Sequence, residues 1–148
     1  MRHIYSLLAS IGYIGYFKGG GSFAAAVAAA CWYLLMDNNV TIQISSVVVV
    51  FFIGVWVSNQ LERDWGKDSS IIVIDEVLGM MVSLLFLPVS LNVILVAFLL
   101  FRFFDITKVF GIRKAEQLPK GWGVMADDLW AGIYTNLIIQ IYVHFGIL

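Results

Sequence analysis

Five apolar stretches, at residues 22–36, 42–57, 71–87, 91–104 and 124–145, occupy most of this 148-residue chain. Short polar or turn-forming segments separate them, among them Asp37-Asn38-Asn39 and Pro88-Val89-Ser90. Apolar residues make up 61% of the sequence and charged residues 13%, about half the charged share of an ordinary soluble domain. A domain this small keeps a large part of its surface exposed, so it cannot hide that much apolar area from water. The composition excludes a cytosolic globule, a disordered tail and a nucleic-acid-binding module. The expected fold is an all-α integral membrane protein, one domain over residues 1–148 with a bundle of about five transmembrane helices. Several stretches are shorter than the roughly 20 residues that cross a bilayer core, so their flanks have to extend them.

Nine basic residues against ten acidic ones leave a net charge of −1, with no polybasic field for a polyanion. The single cysteine, Cys31, has no partner for an intrachain disulfide and reads as buried packing. Residues 1–16 form a weaker sixth segment. A basic start before an apolar run resembles a leader peptide, but more apolar segments follow. The expectation is a short helix lying at the interface or tucked against the bundle.

Five spans place the N-terminus, 58–70 and 102–123 on one side, and 37–41, 88–90 and the C-terminal tip on the other. Arg2, Lys18, Arg63, Lys67, Arg102, Lys108, Arg113, Lys114 and Lys120 then all share the first side. The positive-inside rule makes that side cytoplasmic. All the acidic residues but Asp37 lie on or near it too.

Charged groups at membrane depth are costly and point to function. Three clusters stand at the cytoplasmic ends of the third, fourth and fifth stretches. The first reads Asp68-Ser-Ser-Ile-Ile-Val-Ile-Asp75-Glu76-Val-Leu-Gly79-Met80. Gly79 falls on the helix face of Asp75 and leaves space there for an ion, a phosphate or a neighbouring helix. The second, Phe101-Arg102-Phe103-Phe104-Asp105-Ile106-Thr107-Lys108, sets two cations and a carboxylate along one face. The third, Gly121-Trp122-Gly123-Val124-Met125-Ala126-Asp127-Asp128-Leu129-Trp130-Ala131-Gly132, opens the last span with an acidic pair. Carboxylates in numbers suit a hard divalent cation such as Mg²⁺, and Arg102 and Lys108 suit phosphate oxygens. Together they favour phosphoryl transfer over a proton relay.

Blander roles exist for each residue. Acids at helix starts also stabilise the macrodipole, and Arg102 and Lys108 also serve as snorkelling anchors. Glu62, Arg63, Asp64, Lys67, Arg113, Lys114 and Glu116 read as solvated loop charges. The run Gly19-Gly20-Gly21 could cradle phosphate through its amides, a weak signal alone. A rival of another class is a small cation or proton transporter using the same carboxylates. It requires polar groups continuing to the outer side, where Ser83 and Asn136 are among few exceptions to an apolar pattern.

The three clusters, in this order and spacing, resemble the phosphatidylglycerophosphatase A family from Gly19 to the C-terminus. The resemblance implies a Mg²⁺-dependent lipid phosphatase of the bacterial inner membrane. Its substrate would be phosphatidylglycerophosphate in the bilayer, its products phosphatidylglycerol and inorganic phosphate. It also implies Asp75, Glu76, Asp127 and Asp128 as metal ligands, with Asp68 as a possible addition. Asp75, Asp105 and Asp128 would be catalytic, and Arg102 and Lys108 would bind the substrate phosphate. Two departures stand out. A Pro-Gly-Thr type turn is replaced by Phe17-Lys18-Gly19-Gly20-Gly21-Ser22, and a Lys-Pro-x-Pro segment by Lys108-Val109-Phe110-Gly111. Without its prolines the second segment is expected to be looser.

Overall fold

The computed structural model describes residues 2–36, 39–66 and 69–148, apart from the side chains of Arg2 and Arg63. Among these residues all regular structure is helical. The order is α1 (Arg2–Ala9), a 3-10 turn (Ile14–Tyr16), α2 (Gly20–Leu35), α3 (Val40–Trp65), α4 (Ile74–Leu84), α5 (Leu91–Thr107), α6 (Ile112–Ala115) and α7 (Gly121–His144). Each of the five apolar stretches becomes one helix. Among the described residues one segment, Val40–Glu62 of α3, is long and apolar enough by itself to cross a bilayer, and α2 is a shorter apolar helix.

Local chemistry sets the helix ends. The Asn39 side chain accepts from the Thr41 and Ile42 amides at 3.0 and 3.3 Å and starts α3. Ser90 accepts from the Val93 amide at 3.3 Å and starts α5. At 11 residues α4 is the shortest of the five helices formed by the apolar stretches, about 16 Å long, and its C-terminal carbonyls have to be satisfied by neighbours. The Asn136 amide of α7 donates to the Ser83 and Leu85 carbonyls at 3.2 and 2.8 Å. Gln43 of α3 accepts from the Phe86 amide at 3.1 Å, holding a turn in which Phe86 has φ +61°. The polar residues that interrupt the apolar pattern at this end therefore terminate a helix.

Helix α4 sits between two buried clusters. One joins Trp32, Met80, Leu84, Phe101 and Ile139 of α2, α4, α5 and α7. The other joins Val57, Leu61, Leu78, Val124 and Met125 of α3, α4 and α7. The most extensive helix pair is α4 with α7, and two glycines set its closeness. A Cβ on Gly132 would lie 2.5 Å from the Gly79 carbonyl oxygen, and one on Gly79 would lie 2.8 Å from the carbonyl oxygen of Asp128. The space left by Gly79 is thus taken by a neighbouring helix, the small-residue packing common in apolar bundles.

The N-terminal helix is tucked against the bundle. The Val73 amide donates to the Ala9 carbonyl at 2.9 Å, and Tyr5 meets Trp56 edge to face at 5.1 Å. Cys31 corrects the sequence reading, because it is exposed on α2 while the buried face of that helix is taken by Ala24, Ala25, Ala28, Ala29 and Trp32. Large apolar side chains such as Leu34, Leu35, Phe52, Leu99 and Ile141 are exposed around the bundle, an exterior that suits an apolar medium rather than water.

Gly132→Val should overpack the α4–α7 seam and cost about 1–3 kcal/mol. Asn136→Leu should cost about 1–3 kcal/mol by leaving two buried carbonyls without a donor. Both should lower the thermal midpoint followed by circular dichroism in detergent, and Leu137→Ala, on an exposed position, should not.

Candidate active site

The first turn of α4 carries Asp75 and Glu76, where the positive end of the helix dipole favours carboxylates. Asp128 stands on α7 one turn before Gly132, so the close α4–α7 approach brings it beside them. One oxygen from each of Asp75, Glu76 and Asp128 falls within 4.8 Å of the others. Asp75 and Asp128 are 9% and 2% exposed. Asp75 Oδ1, Glu76 Oε2 and Asp128 Oδ2 are all buried without a hydrogen-bond partner. Buried carboxylate oxygens in that state are costly. The hard oxygen donors of this cluster fit a divalent cation such as Mg²⁺.

Helix α5 supplies the next groups. Arg102 pairs with Asp105 one turn along, and its Nη1 lies 3.9 Å from Glu76 Oε1. Asp105 also faces Glu76 and Asp128 closely, so it borders the cluster directly. The expected single face of Arg102, Asp105 and Lys108 is not continued to the third residue. Helix α5 stops at Thr107, and Lys108 takes a left-handed conformation (φ +46°). Its Nζ reaches Asp127 Oδ2 at 2.8 Å and Glu116 Oε2 at 3.4 Å. Glu116 is therefore an ion-pair partner and not merely a solvated loop charge.

Of the sequence candidates, Asp75, Glu76, Asp128, Asp105 and Arg102 come together. Asp127 sits one residue away but turns to Lys108, and its other oxygen accepts from the Asp128 amide at 3.0 Å. Asp68 lies outside the described residues.

Two features escaped the sequence reading, and a third gained weight. Asn59 of α3 accepts from the Gly121 amide at 2.8 Å and so caps α7 from another helix. The one local hint was that α7 begins after Lys120 with no side-chain cap of its own. The glycine run proves to border the site, since a Cβ on Gly21 would collide with the Glu76 carboxylate. The segment after α5 lacks prolines, yet rings anchor it. Phe110 packs on Phe104 and Tyr134 at 6.4 and 6.1 Å, and the Tyr134 hydroxyl donates to the Phe110 carbonyl at 3.0 Å. That anchoring corrects the expectation of a loose loop.

The family model described as "PgpA: Phosphatidylglycerophosphatase A" matches residues 7–143. The chain belongs to the phosphatidylglycerophosphatase A family. Among its relatives, a Bacteroides thetaiotaomicron protein named "Putative phosphatidylinositol-3-phosphatase" is 43% identical over 101 residues, 66% of this chain and 64% of that protein. A Haemophilus influenzae phosphatidylglycerophosphatase A is 39% identical over 103 residues, 68% of this chain and 63% of the relative. The Escherichia coli phosphatidylglycerophosphatase A is 34% identical over 107 residues, 69% and 62%. The chain thus spans somewhat less than two thirds of the length of these relatives. No solved structure matches it at a significant level.

Lys108→Met should remove one partner of the buried Asp127 carboxylate and cost about 1–3 kcal/mol. The double variant Lys108→Met/Asp127→Asn should recover much of that loss. Chemical unfolding in detergent, run as a double-mutant cycle, checks the coupling.

Proposed function

We propose that the protein is a lipid phosphatase that hydrolyses the terminal phosphate of phosphatidylglycerophosphate to phosphatidylglycerol and inorganic phosphate. The observation that carries this reading is the convergence of Asp75, Glu76 and Asp128, from two helices, with buried unpartnered oxygens. In this reading Asp75, Glu76 and Asp128 hold Mg²⁺, with Asp127 beside them. When bound, the ion offsets charge on the phosphoryl oxygens and acidifies the attacking water.

The rest falls to the chain's own groups. Arg102 grips phosphate oxygens with its planar fork, and its pairing with Asp105 orients both. Asp105 takes the proton of the attacking water as the new phosphorus–oxygen bond forms. As the old ester bond breaks on the opposite side of phosphorus, the headgroup oxygen takes a proton from water, and Asp105 afterwards releases its own to solvent. Lys108, fixed by Asp127 and Glu116, adds a second cation at the edge of the site and positions the start of α7. The five apolar stretches cross the bacterial inner membrane in this reading, the short α4 together with the residues that flank it. The basic residues, the N-terminus and the site face the cytoplasm, by the positive-inside rule.

A second substrate has support of its own, because the relative at 43% identity is named for an inositol lipid. Phosphatidylinositol 3-phosphate shares the arrangement of one phosphomonoester and one phosphodiester. The transporter reading is weaker. Gln43 and Asn136, polar groups at the far end, are engaged by backbone at the end of α4 and do not continue an ion path.

Purified protein in detergent should release phosphate from phosphatidylglycerophosphate with Mg²⁺ and stop in EDTA. Asp128→Asn should lower turnover at least about 100-fold while the protein still folds. Release from phosphatidylinositol 3-phosphate alone would replace the substrate. Release from neither lipid in any divalent metal would end the phosphatase reading and bring the transporter forward.

A further inference from the structure

Two cavities have both α2 and α5 in their walls. The first, about 610 Å³, opens beside the carboxylate site through Glu76 and Arg102. Gly19, Gly20, Gly21 and Ser22 line it at the start of α2, with Lys18 and Ser70 also at its wall. The Gly20 amide donates to the Phe17 carbonyl at 2.9 Å, and no side chain caps the first turn of α2, so the positive end of that helix favours an anion there. Arg102 Nε is buried without a hydrogen-bond partner. This cavity therefore offers two cations, hydroxyls and backbone amides directly next to the reaction site.

The second cavity, about 400 Å³, is apolar and lies between Ala26, Ala29 and Ala30 of α2 and Ile94, Leu95 and Phe98 of α5. Ala26 follows Ser22 by one turn, and Phe98 precedes Arg102 by one turn, so the two cavities adjoin on the same helix pair. Ala26, Ala30 and Leu95 are exposed, so the groove opens sideways to the exterior. Alanines ordinarily allow helices to close up, yet here the seam stays open.

We infer that the α2–α5 seam is the slot in which the lipid substrate lies, building on the phosphatase reading above. The phosphodiester and polyol of the headgroup occupy the glycine-lined cavity, and one acyl chain occupies the alanine groove. The polarity along the seam changes in the order in which it changes along such a lipid. An acyl chain in a bilayer is already in an apolar medium, so the groove contributes register rather than raw affinity. It holds the chain at the depth that sets the terminal phosphate beside Asp75, Glu76 and Asp128. Lys18 then reads the second phosphate, which distinguishes this lipid class from phosphatidic acid.

The direct test is a phosphatidylglycerophosphate bearing a diazirine in one acyl chain, photolysed with the wild-type protein in detergent. The label should map to residues 26–34 and 91–98. Label spread evenly over the lipid-facing surface overturns the seam, whether or not the protein hydrolyses the lipid. Kinetics supply the second arm. Ala30→Phe should cut the preference for diacyl over deacylated substrate about tenfold through KM, and Lys18→Ala should raise KM for phosphatidylglycerophosphate about tenfold and narrow its preference over phosphatidic acid. Leu137→Phe, exposed on α7 away from the seam, should change neither. Unchanged ratios in Ala30→Phe and Lys18→Ala overturn the slot, and absence of hydrolysis in the wild type with seam-confined label refutes only the phosphatase reading.

Discussion

The rest of the site depends on how closely α4 and α7 approach. Gly79 and Gly132 let the two backbones touch, and the acidic residues lie within about a turn of that contact. A side chain at either glycine would push the helices apart and separate Asp75 from Asp128. The cluster is therefore a product of helix packing, and its rigidity is that of two helices in contact over most of the length of α4.

Charge is divided unevenly around that contact. Asp105 has Arg102, and Asp127 has Lys108. Asp75, Glu76 and Asp128 share a small volume, and among the described residues the Arg102 guanidinium stands 3.9 Å from Glu76. The two compensated acids brace α5 against its own last turn and α7 against the loop after α5. The three others carry the electrostatic demand for a cation. An adjacent pair, Asp127 and Asp128, thus divides into one bracing and one cluster residue according to the direction each takes from the helix.

The shortness of α4 has the same logic. A helix that ends inside an apolar bundle leaves carbonyls that nothing apolar can satisfy. Asn136 and Gln43 supply the missing partners from α7 and α3, and Asn59 does the same for the start of α7. Polar side chains on long helices thereby hold the ends of their neighbours. This fixes α4 along its axis and so fixes the height of its two acids.

Apolar stretches and clustered acids made the helical class, the five apolar helices and most of the side chains that the fold gathers around Asp75 and Asp128 legible in the sequence. Helix formation is local, and carboxylates within apolar stretches are too costly to be incidental. The family motifs were equally legible, because they are runs of adjacent residues. What stayed hidden depends on contacts between distant segments. The pairing of Lys108 with Asp127 and Glu116 turns on a left-handed residue at the end of α5. The rings that anchor Phe110 come from α5 and α7, and no local pattern announces them. The glycine run gains meaning only because α2 sets it against Glu76. Residue type and spacing determined which groups could act here, and tertiary packing decided which of them meet, since the distances between helices are set by the side chains between them.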